Sequence, residues 1–480
     1  MSSPLAPSSS GPGVAASAPA SSLSSPSGAP PTAAALRAQR LLHGPVLATI
    51  LMLAAPNLLM MLSQAAANFL ESYYVGLLGV DALAGAALVF PVVMLMQMMS
   101  AGGIGGGVSS AIARALGAGR HEHAEALALH AFVLAIAAGV LFRVAAIAGG
   151  PLLYSAMGGQ GEALKAALTY SNVIFLGAIF LWVANLMASV LRGTGNMALP
   201  AIVLTLGTLV LFVTSPVLIF GLGPIPAMGI AGAGLALVLY YVLATAILLF
   251  KLVRGTGGLK LSWHHRLHWA GFADILGVGG WALINNLTTN LAVVVATTLV
   301  SPLGTHALAG FGLGIRLEYL QIPIVFGVGS GLVAMVGMNV GAGQWQRARQ
   351  VAWTGALVAA AVTEAVGLGA SVFPHAWLGL FTHDADAIEI GVRYLRTVAP
   401  FYGLIGIGLS LYFASQGARR MHWPVAAGVL RVIVVVGIGS LAVHGFGGGL
   451  DSVLWSVVVG LMVFAGVTAI PWIPRMKDAV

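Results

Sequence analysis

Twelve long apolar stretches, separated by short polar or charged segments, occupy most of the chain between residues 46 and 472. Each stretch is long enough to cross a bilayer, which takes about 20 helical residues. Apolar runs of this length indicate helices, because a helix satisfies its own backbone hydrogen bonds in lipid. The pattern therefore predicts an all-α integral membrane protein. The expected spans are 46–72, 82–113, 124–149, 164–191, 197–221, 229–253, 275–301, 307–340, 350–372, 391–416, 423–444 and 451–472.

Composition agrees with a membrane protein and excludes a soluble one. Hydrophobic residues make up 59% of the chain and charged residues only 7%, against about 25% charged in ordinary soluble domains. The 64 glycines suit close packing of helices in lipid. The chain has no cysteine, which excludes disulfides and Cys-ligated metals.

The segments outside the spans complete the predicted organisation. Residues 1–36 carry no charge and are rich in Ser, Pro, Ala and Gly, a composition typical of disorder. We expect these parts: a disordered cytoplasmic tail over 1–45, a first lobe over 46–253, a cytoplasmic connector over 254–274, a second lobe over 275–472 and a cytoplasmic C-terminus over 473–480.

The basic residues predict the orientation. With the N-terminus placed in the cytoplasm, fifteen of the 21 Lys and Arg residues fall in cytoplasmic segments and three in outer ones. Cytoplasmic loops of membrane proteins carry this excess of positive charge. We therefore expect both termini in the cytoplasm and the protein in the inner (plasma) membrane. Topology accounts for the net charge of +8, so nucleic acid is not expected as a partner.

The two halves of the sequence resemble each other. Residues 78–85 (LGVDALAG) match 303–310 (LGTHALAG), and Gly-Ala-Gly recurs at 117–119 and 341–343. Each half holds six spans, so both halves run through the membrane in the same sense. This predicts two pseudo-symmetric six-helix lobes, related by an axis along the membrane normal, which is a design of transporters.

The first span contains the strongest candidate for chemistry. Four polar residues recur at helical spacing and share one face: Asn57, Gln64, Asn68 and Glu71. A carboxylate at membrane depth is expensive and is functional by default. We expect this face to line a wet cavity in which Glu71 binds the coupling ion, while the alternative is that Glu71 lies at the membrane interface. The position of Glu71 in the repeat is taken by Ala296 in the second half.

Two further sets of polar residues lie in the second half. The seventh span carries Asn286 and Asn290 on one side, expected to line the cavity, with hydrogen bonding between helices as the alternative. Glu318 in the eighth span is a candidate substrate ligand or the partner of another helix through Arg431. Glu364 has no polar stripe around it in its span, which favours a structural role.

Histidine clusters do not change this interpretation. His264, His265 and His268 lie close together in the connector, but no further ligand accompanies them, so we expect no metal. The sequence also lacks the motifs of nucleotide hydrolysis and of familiar proteases. We expect no cofactor.

The motifs resemble those of the multidrug and toxic compound extrusion (MATE) family of antiporters, over roughly residues 46–472. The stretches that carry the resemblance are 314–318 (GIRLE), 336–343 (VGMNVGAG), 71–76 (ESYYVG) followed by Leu83-Ala84, and the paired Gly-Ala-Gly motifs. The resemblance implies two lobes in a V shape. It also implies export of amphipathic, often cationic drugs in exchange for protons or Na⁺, with no enzymatic activity.

The resemblance also assigns residues. The family's first-span acid corresponds to Glu71, and its eighth-span glutamate corresponds to Glu318. The predicted substrate-binding residues are Glu318, Gln64, Asn68, Asn286 and Asn290. Where many bacterial relatives place an Asn and an Asp in the fifth span, this chain has Leu211 and Ser215, which favours protons over sodium.

Two rival functions remain open from the sequence. A lipid-linked precursor flippase of the same superfamily would need a strongly cationic cavity, whereas only Arg143, Arg316 and Arg431 lie within the spans. A membrane-embedded enzyme would need clustered acids or a nucleophile. We expect a monomeric transporter in the lipid bilayer.

Overall fold

The computed structural model describes residues 32–255, 258–442 and 448–474, and within them the fold is all-helical. The helices of the first half are α1 Ala33–His43, α2 Val46–Gly76, α3 Val80–Gln97, α4 Gly105–Gly117, α5 His121–Ala156, α6 Gly161–Leu176, α7 Ala178–Gly193, α8 Ala198–Phe220 and α9 Ile230–Val253. Those of the second half are α10 Trp269–Val300, α11 Thr305–Gly341, α12 Trp345–Val372, α13 Pro374–Leu378, α14 Ala385–Thr397, α15 Gly403–Gly417, α16 His422–Ser440 and α17 Leu450–Ala469.

These helices match the predicted spans. In the described part of the chain, ten helical segments are long and apolar enough to cross a membrane. The bent pairs α6–α7 and α14–α15, with angles of 49° and 51°, raise the number to twelve when each pair counts as one span. α3 and α4 form one continuous span through a π-helical stretch, Met98–Ile104. The prediction of an all-α membrane fold is confirmed.

Helix α1 corrects the prediction of a disordered tail over 1–45. Its sequence, AAALRAQRLLH, is rich in strong helix formers, and Leu41 is only 2% exposed. The side-chain amide of Asn339 donates to the Leu41 carbonyl over 3.1 Å. The prediction is therefore wrong for Ala33–His43, because tertiary contacts hold this short helix in place. Residues 1–31 lie outside the described residues.

The helices pack as two bundles that follow the two halves of the sequence. In the first bundle α5 packs on α7, α8 on α9 and α3 on α6. In the second, α16 packs on α17, α12 on α15 and α10 on α16. Each bundle has its own apolar core. A third core is shared, and in it Ile50 and Leu53 of α2 pack with Val328 and Leu332 of α11.

The bundles meet at one end, which we call the closed end. It contains the start of α2 and α10 and the ends of α4, α11 and α15. Arg114 of α4 forms an ion pair of 2.8 Å with Asp274 of α10, and Ser110 donates a hydrogen bond to the Gln416 carbonyl of α15. Farther along the helices the side-chain hydrogen bonds are made within a bundle, as between Tyr170 and Glu71. Among the described residues, the polar contacts between the lobes are therefore concentrated at the closed end.

Glycine permits the closest approach at this end. A Cβ on Gly117 would lie 2.0 Å from the Met338 carbonyl oxygen, and one on Gly341 would lie 2.2 Å from that of Arg114. The two glycines are the first residues of the repeated Gly-Ala-Gly motifs. The repeat thus places matching glycines where α4 and α11 cross, backbone against backbone.

Replacing Gly117 by alanine is expected to open the closed end. The methyl group meets a backbone carbonyl that cannot rotate away, and overpacking of this kind costs about 1–3 kcal/mol. Because the chain has no cysteine, a Ser110→Cys substitution supplies a single reporter thiol at a buried position. Maleimide labelling of this thiol should rise in the Gly117→Ala background.

Gly149→Ala is the matched control, since a Cβ at that position meets nothing within 4 Å. Equal labelling in the two backgrounds would show that the crossing tolerates a side chain and is not a tight contact.

Candidate functional site

Glu71 lies in the half of α2 that points away from the closed end. Its Oε1 accepts a hydrogen bond of 2.5 Å from the hydroxyl of Tyr170 on α6. Tyr170 is 7% exposed, and Glu71 is half-buried. The carboxylate is therefore partnered within the first lobe, as an acidic group at membrane depth requires.

A cavity of about 330 Å³ opens beside this pair, between α2, α3, α6 and α9. Its polar lining consists of Asn68, Glu71, Ser72, Gln97 and Tyr170, and its apolar lining includes Val75, Leu83, Phe90, Met94 and Leu237. Pockets of about 300–1,000 Å³ with a few polar groups in an apolar wall hold small organic molecules. The structure thus brings Asn68 and Glu71 to one cavity.

The other two members of the polar face have different surroundings. The side-chain amide of Asn57 donates to Ser330 Oγ on α11 over 2.7 Å, in a buried contact between the lobes. Gln64 is half-buried and is not among the residues that line the cavity. The face is therefore divided along α2, with a lobe contact near the closed end and the cavity farther out.

Three further residues belong to this region: Gln97, Tyr170 and Tyr241. Little in the sequence pattern points to them. Gln97 and Tyr170 line the cavity, and the Gln97 amide donates to the Tyr241 hydroxyl of α9 over 3.3 Å. Gln97 directly precedes the π-helical stretch, and such stretches are frequent at functional sites. Tyr170 is a single tyrosine on an apolar helix, and its role depends on a partner 99 residues away.

In the described part of the second lobe, the equivalent place holds only a small void. Ala296, the repeat counterpart of Glu71, lines a void of only about 10 Å³ beside Glu318 and Arg431. The two lobes are therefore unequal in shape as well as in chemistry.

Glu318 is paired inside the second lobe. Its Oε1 lies 3.3 Å from Arg431 Nη2, and the two side chains are 12% and 6% exposed. Its Oε2 accepts a hydrogen bond of 3.2 Å from the Tyr394 hydroxyl. In this structure Glu318 makes the pairing with Arg431 that was given as the alternative, and its role as a substrate ligand stays a prediction.

The asparagines of α10 form hydrogen bonds, the alternative that was given to lining the cavity. The Asn290 side-chain amide donates to the Asn286 carbonyl over 2.8 Å, and its Oδ1 accepts a 3.2 Å hydrogen bond from the Tyr319 hydroxyl of α11. Asn290 is exposed and Asn286 half-buried. Asn290 thus bonds across to a neighbouring helix while keeping an accessible surface.

Glu364 has the structural position that the sequence favoured. Its Oε2 accepts a hydrogen bond of 2.6 Å from the backbone N–H of Gly403. Gly403 is the first residue of α15, directly after the bend that follows α14. The carboxylate supplies an acceptor for a backbone group that the broken helix leaves free.

The connector histidines have separate partners. His264 contacts Ser262, His265 lies 3.6 Å from Glu125, and the Nδ1 of His268 lies 2.8 Å from His130 Nε2. Among the described residues, one group could bring three ligand atoms together: His306, Asp384 and Asp386. All three are exposed, and the hydrogen bond from His306 lowers the pKa of the Asp384 carboxyl. Such surface groups are common without a bound ion.

Two bundles of membrane-spanning helices with repeated sequence motifs are an architecture of membrane transporters. The sequence model of the MatE family matches residues 56–217 and 282–442, one match in each lobe. The chain belongs to the MatE family, as the sequence resemblance predicted, and is a transporter and not an enzyme.

Similar proteins include two curated relatives and a solved structure. The FAD transporter of Shewanella oneidensis is 26% identical over 406 residues, which cover 82% of this chain and 88% of the relative. A probable multidrug resistance protein NorM of Thermotoga maritima is 26% identical over 66% of this chain and 68% of its own length. A multidrug resistance MATE family transporter in its outward-facing conformation superposes with a TM-score of 0.83, at 26% identity, over 92% of this chain and 97% of that one.

The buried pair in the second lobe generates a prediction about stability. Glu318→Gln leaves Arg431 charged and without its carboxylate, and breaking a buried pair in this way costs about 3–5 kcal/mol. The double variant Glu318→Gln, Arg431→Gln should melt at a higher temperature than either single variant, because no unpaired charge remains. Melting temperatures in detergent measure both effects.

Arg393→Gln breaks an exposed pair with Asp451 in the same lobe and should change stability by less than about 1 kcal/mol. If Glu318→Gln melts like the wild type and loses export of cationic compounds alone, Glu318 is a substrate ligand and not a scaffold residue.

Proposed function

We propose that the protein is a proton-driven antiporter that exports amphipathic organic compounds, cations among them, as a monomer in the plasma membrane. The observation that carries the proposal is the carboxylate of Glu71 in a cavity of about 330 Å³. The rest of the cavity wall consists of apolar side chains and of uncharged side chains with a hydroxyl or an amide group. Coupling to protons requires one carboxylate that is accessible from water. Tyr170 donates to that carboxylate and stabilises its ionised form.

The oxygen atoms around Glu71 favour a proton over a sodium ion. A hard cation is held by several oxygen ligands, with carboxylates supplying the charge. Leu211 offers no oxygen, and Ser215 is buried with its hydroxyl unpartnered among the described residues. Among the residues that line the cavity, Glu71 is the one carboxylate.

Protonation of Glu71 supplies the coupling in this proposal. The ionised carboxylate accepts the Tyr170 hydrogen bond and attracts cationic groups into the apolar cavity. A proton that arrives from the open end removes this charge and weakens the hold on a cation. Release of the substrate and entry of the proton therefore occur from the same side, as antiport requires.

The distribution of positive charge supports the closed end as the cytoplasmic end. Basic residues at the ends of helices and in the loops there include Arg40, Arg114, Arg120, Arg254, Arg347, Arg349, Arg419 and Arg420. Cytoplasmic segments carry this excess. In this proposal the cavity beside Glu71 faces the outer side of the membrane.

Export of a flavin dinucleotide is a second candidate function. The relative from Shewanella oneidensis carries the name FAD transporter, and it aligns over 88% of its length. The two candidates differ in the charge of the compound, since a dinucleotide is an anion.

Glu71→Gln should abolish proton-driven export and leave the protein folded, because glutamine has a similar shape and cannot exchange a proton. Dye or drug accumulation in everted vesicles measures export, and expression and melting temperature serve as controls. Glu71→Asp should retain part of the activity. Full export by the Glu71→Gln variant at normal expression would refute the role of Glu71.

The coupling ion can be tested separately in proteoliposomes with an imposed gradient of either ion. Export should stop when a protonophore collapses the pH gradient, and it should be indifferent to replacement of sodium by potassium. Export that survives the protonophore and ceases without sodium would reverse the assignment.

A further inference from the structure

Arg192, in the last turn of α7, is a buried cation that the transport site described above does not use. It is one of the fifteen basic residues that are expected in cytoplasmic segments, but its side chain is only 4% exposed. Its Nη2 lies 3.9 Å from Met60 Sδ, a weak acceptor. Within the described part of the chain its Nε has no hydrogen-bond partner, and the ionisable group that acts on its guanidinium is the phenol of Tyr240 and not a carboxylate.

The guanidinium lies where the two lobes meet. It lines a small void of about 10 Å³ together with Ser330 of α11 and Gln416 of α15. The Gln416 amide nitrogen donates to the Tyr412 hydroxyl over 2.7 Å, while its Oε1 has no partner among the described residues. A void of this size holds about one water molecule. The seam between the lobes therefore encloses polar groups whose hydrogen bonds are incomplete.

The internal repeat explains why the charge at this seam is unbalanced. Residues 191–200 (LRGTGNMALP) align with 415–424 (SQGARRMHWP), so Arg192 and Gln416 occupy equivalent positions. Both line the same void from opposite lobes. The pseudo-symmetry thus pairs a cation with a neutral amide, and neither half supplies an anion.

An unpaired charge in a dry protein interior carries a penalty of several kcal/mol. Apart from the single water that the void can hold, water reaches Arg192 only when the lobes separate at the closed end, so each closure of that end has to bury the charge. An anionic group carried in with the substrate would offset this penalty, and a guanidinium binds a carboxylate or phosphate with strong paired hydrogen bonds. A group that is purely cationic would add repulsion instead.

We propose that Arg192, with Gln416, forms a deep subsite that binds the carboxylate or phosphate group of a substrate when the lobes separate at the closed end. This subsite rests on the alternating access of the proposed function and adds a substrate class to it. The subsite is distinct from the cavity of Glu71. Met60, which contacts Arg192, and Glu71 are eleven residues apart on α2, a rise of about 16 Å.

Two dyes that share a xanthene core provide the test: fluorescein, an anion with a free carboxylate, and rhodamine 123, a cation. Binding to the full-length protein is measured by fluorescence anisotropy in nanodiscs made only of phosphatidylcholine, so that no anionic lipid headgroup competes. Arg192→Gln should weaken fluorescein binding by about tenfold or more and leave rhodamine 123 binding unchanged or tighter. Adding phosphatidylglycerol should weaken fluorescein binding in the wild type if lipid headgroups also enter the subsite.

Two variants serve as checks. Arg143→Gln removes a cation from the α5 span and should leave both dyes unaffected. Gln416→Glu supplies a carboxylate beside Arg192, so it should reduce fluorescein binding without removing the arginine, and it keeps the proposal testable if Arg192→Gln does not fold.

The proposal is overturned if the wild type binds rhodamine 123 but not fluorescein, or if Arg192→Gln and Gln416→Glu change both dyes equally. Failure of the proposed function would appear differently. In that case neither dye would move across proteoliposomes under a pH gradient, while the binding measurement would still report on Arg192.

Discussion

The crossing of α4 and α11 brings two backbones into contact with glycine on each side, and the other contacts between the lobes depend on it. Gly117 lies beside the Met338 carbonyl and Gly341 beside that of Arg114. The C-terminal ends of α4 and α11 are therefore in direct backbone contact. Arg114 then reaches Asp274, and Ser110 reaches α15. Because these polar contacts lie at one end, the far halves of the helices are free to separate. A carboxylate such as Glu71 can then lie beside a cavity and not in a closed core.

The large features of the fold followed from the sequence because they depend on local pattern. Apolar length predicted the spans, and the repeated motifs predicted two lobes. Features that depend on distant partners could not be predicted in this way. Glu318 and Arg431 are 113 residues apart, and Asn57 and Ser330 are 273 apart, so sequence spacing gave at most the possibility of a pair. Glu71 was found because its helix face was polar over several turns, whereas Tyr170 had no such neighbours.

The repeat sets the shape of the lobes but not their chemistry. Equivalent positions hold Glu71 and Ala296, and Arg192 and Gln416. In the first lobe the acid lies beside a cavity, and in the second the corresponding region is filled by an internal ion pair. Two lobes of related fold therefore carry different charged groups at equivalent positions of the repeat.

Helix α1 has a consequence for the order in which the protein matures. Leu41 packs where a side chain at Gly195 in the first lobe would otherwise stand, and its carbonyl bonds to Asn339, 298 residues later in the chain. The helix precedes the described membrane spans in the chain, yet the surface that receives it is complete only after α11 has been inserted. The contact between Leu41 and Asn339 can therefore form only late in biogenesis, after both the first lobe and α11 have been made.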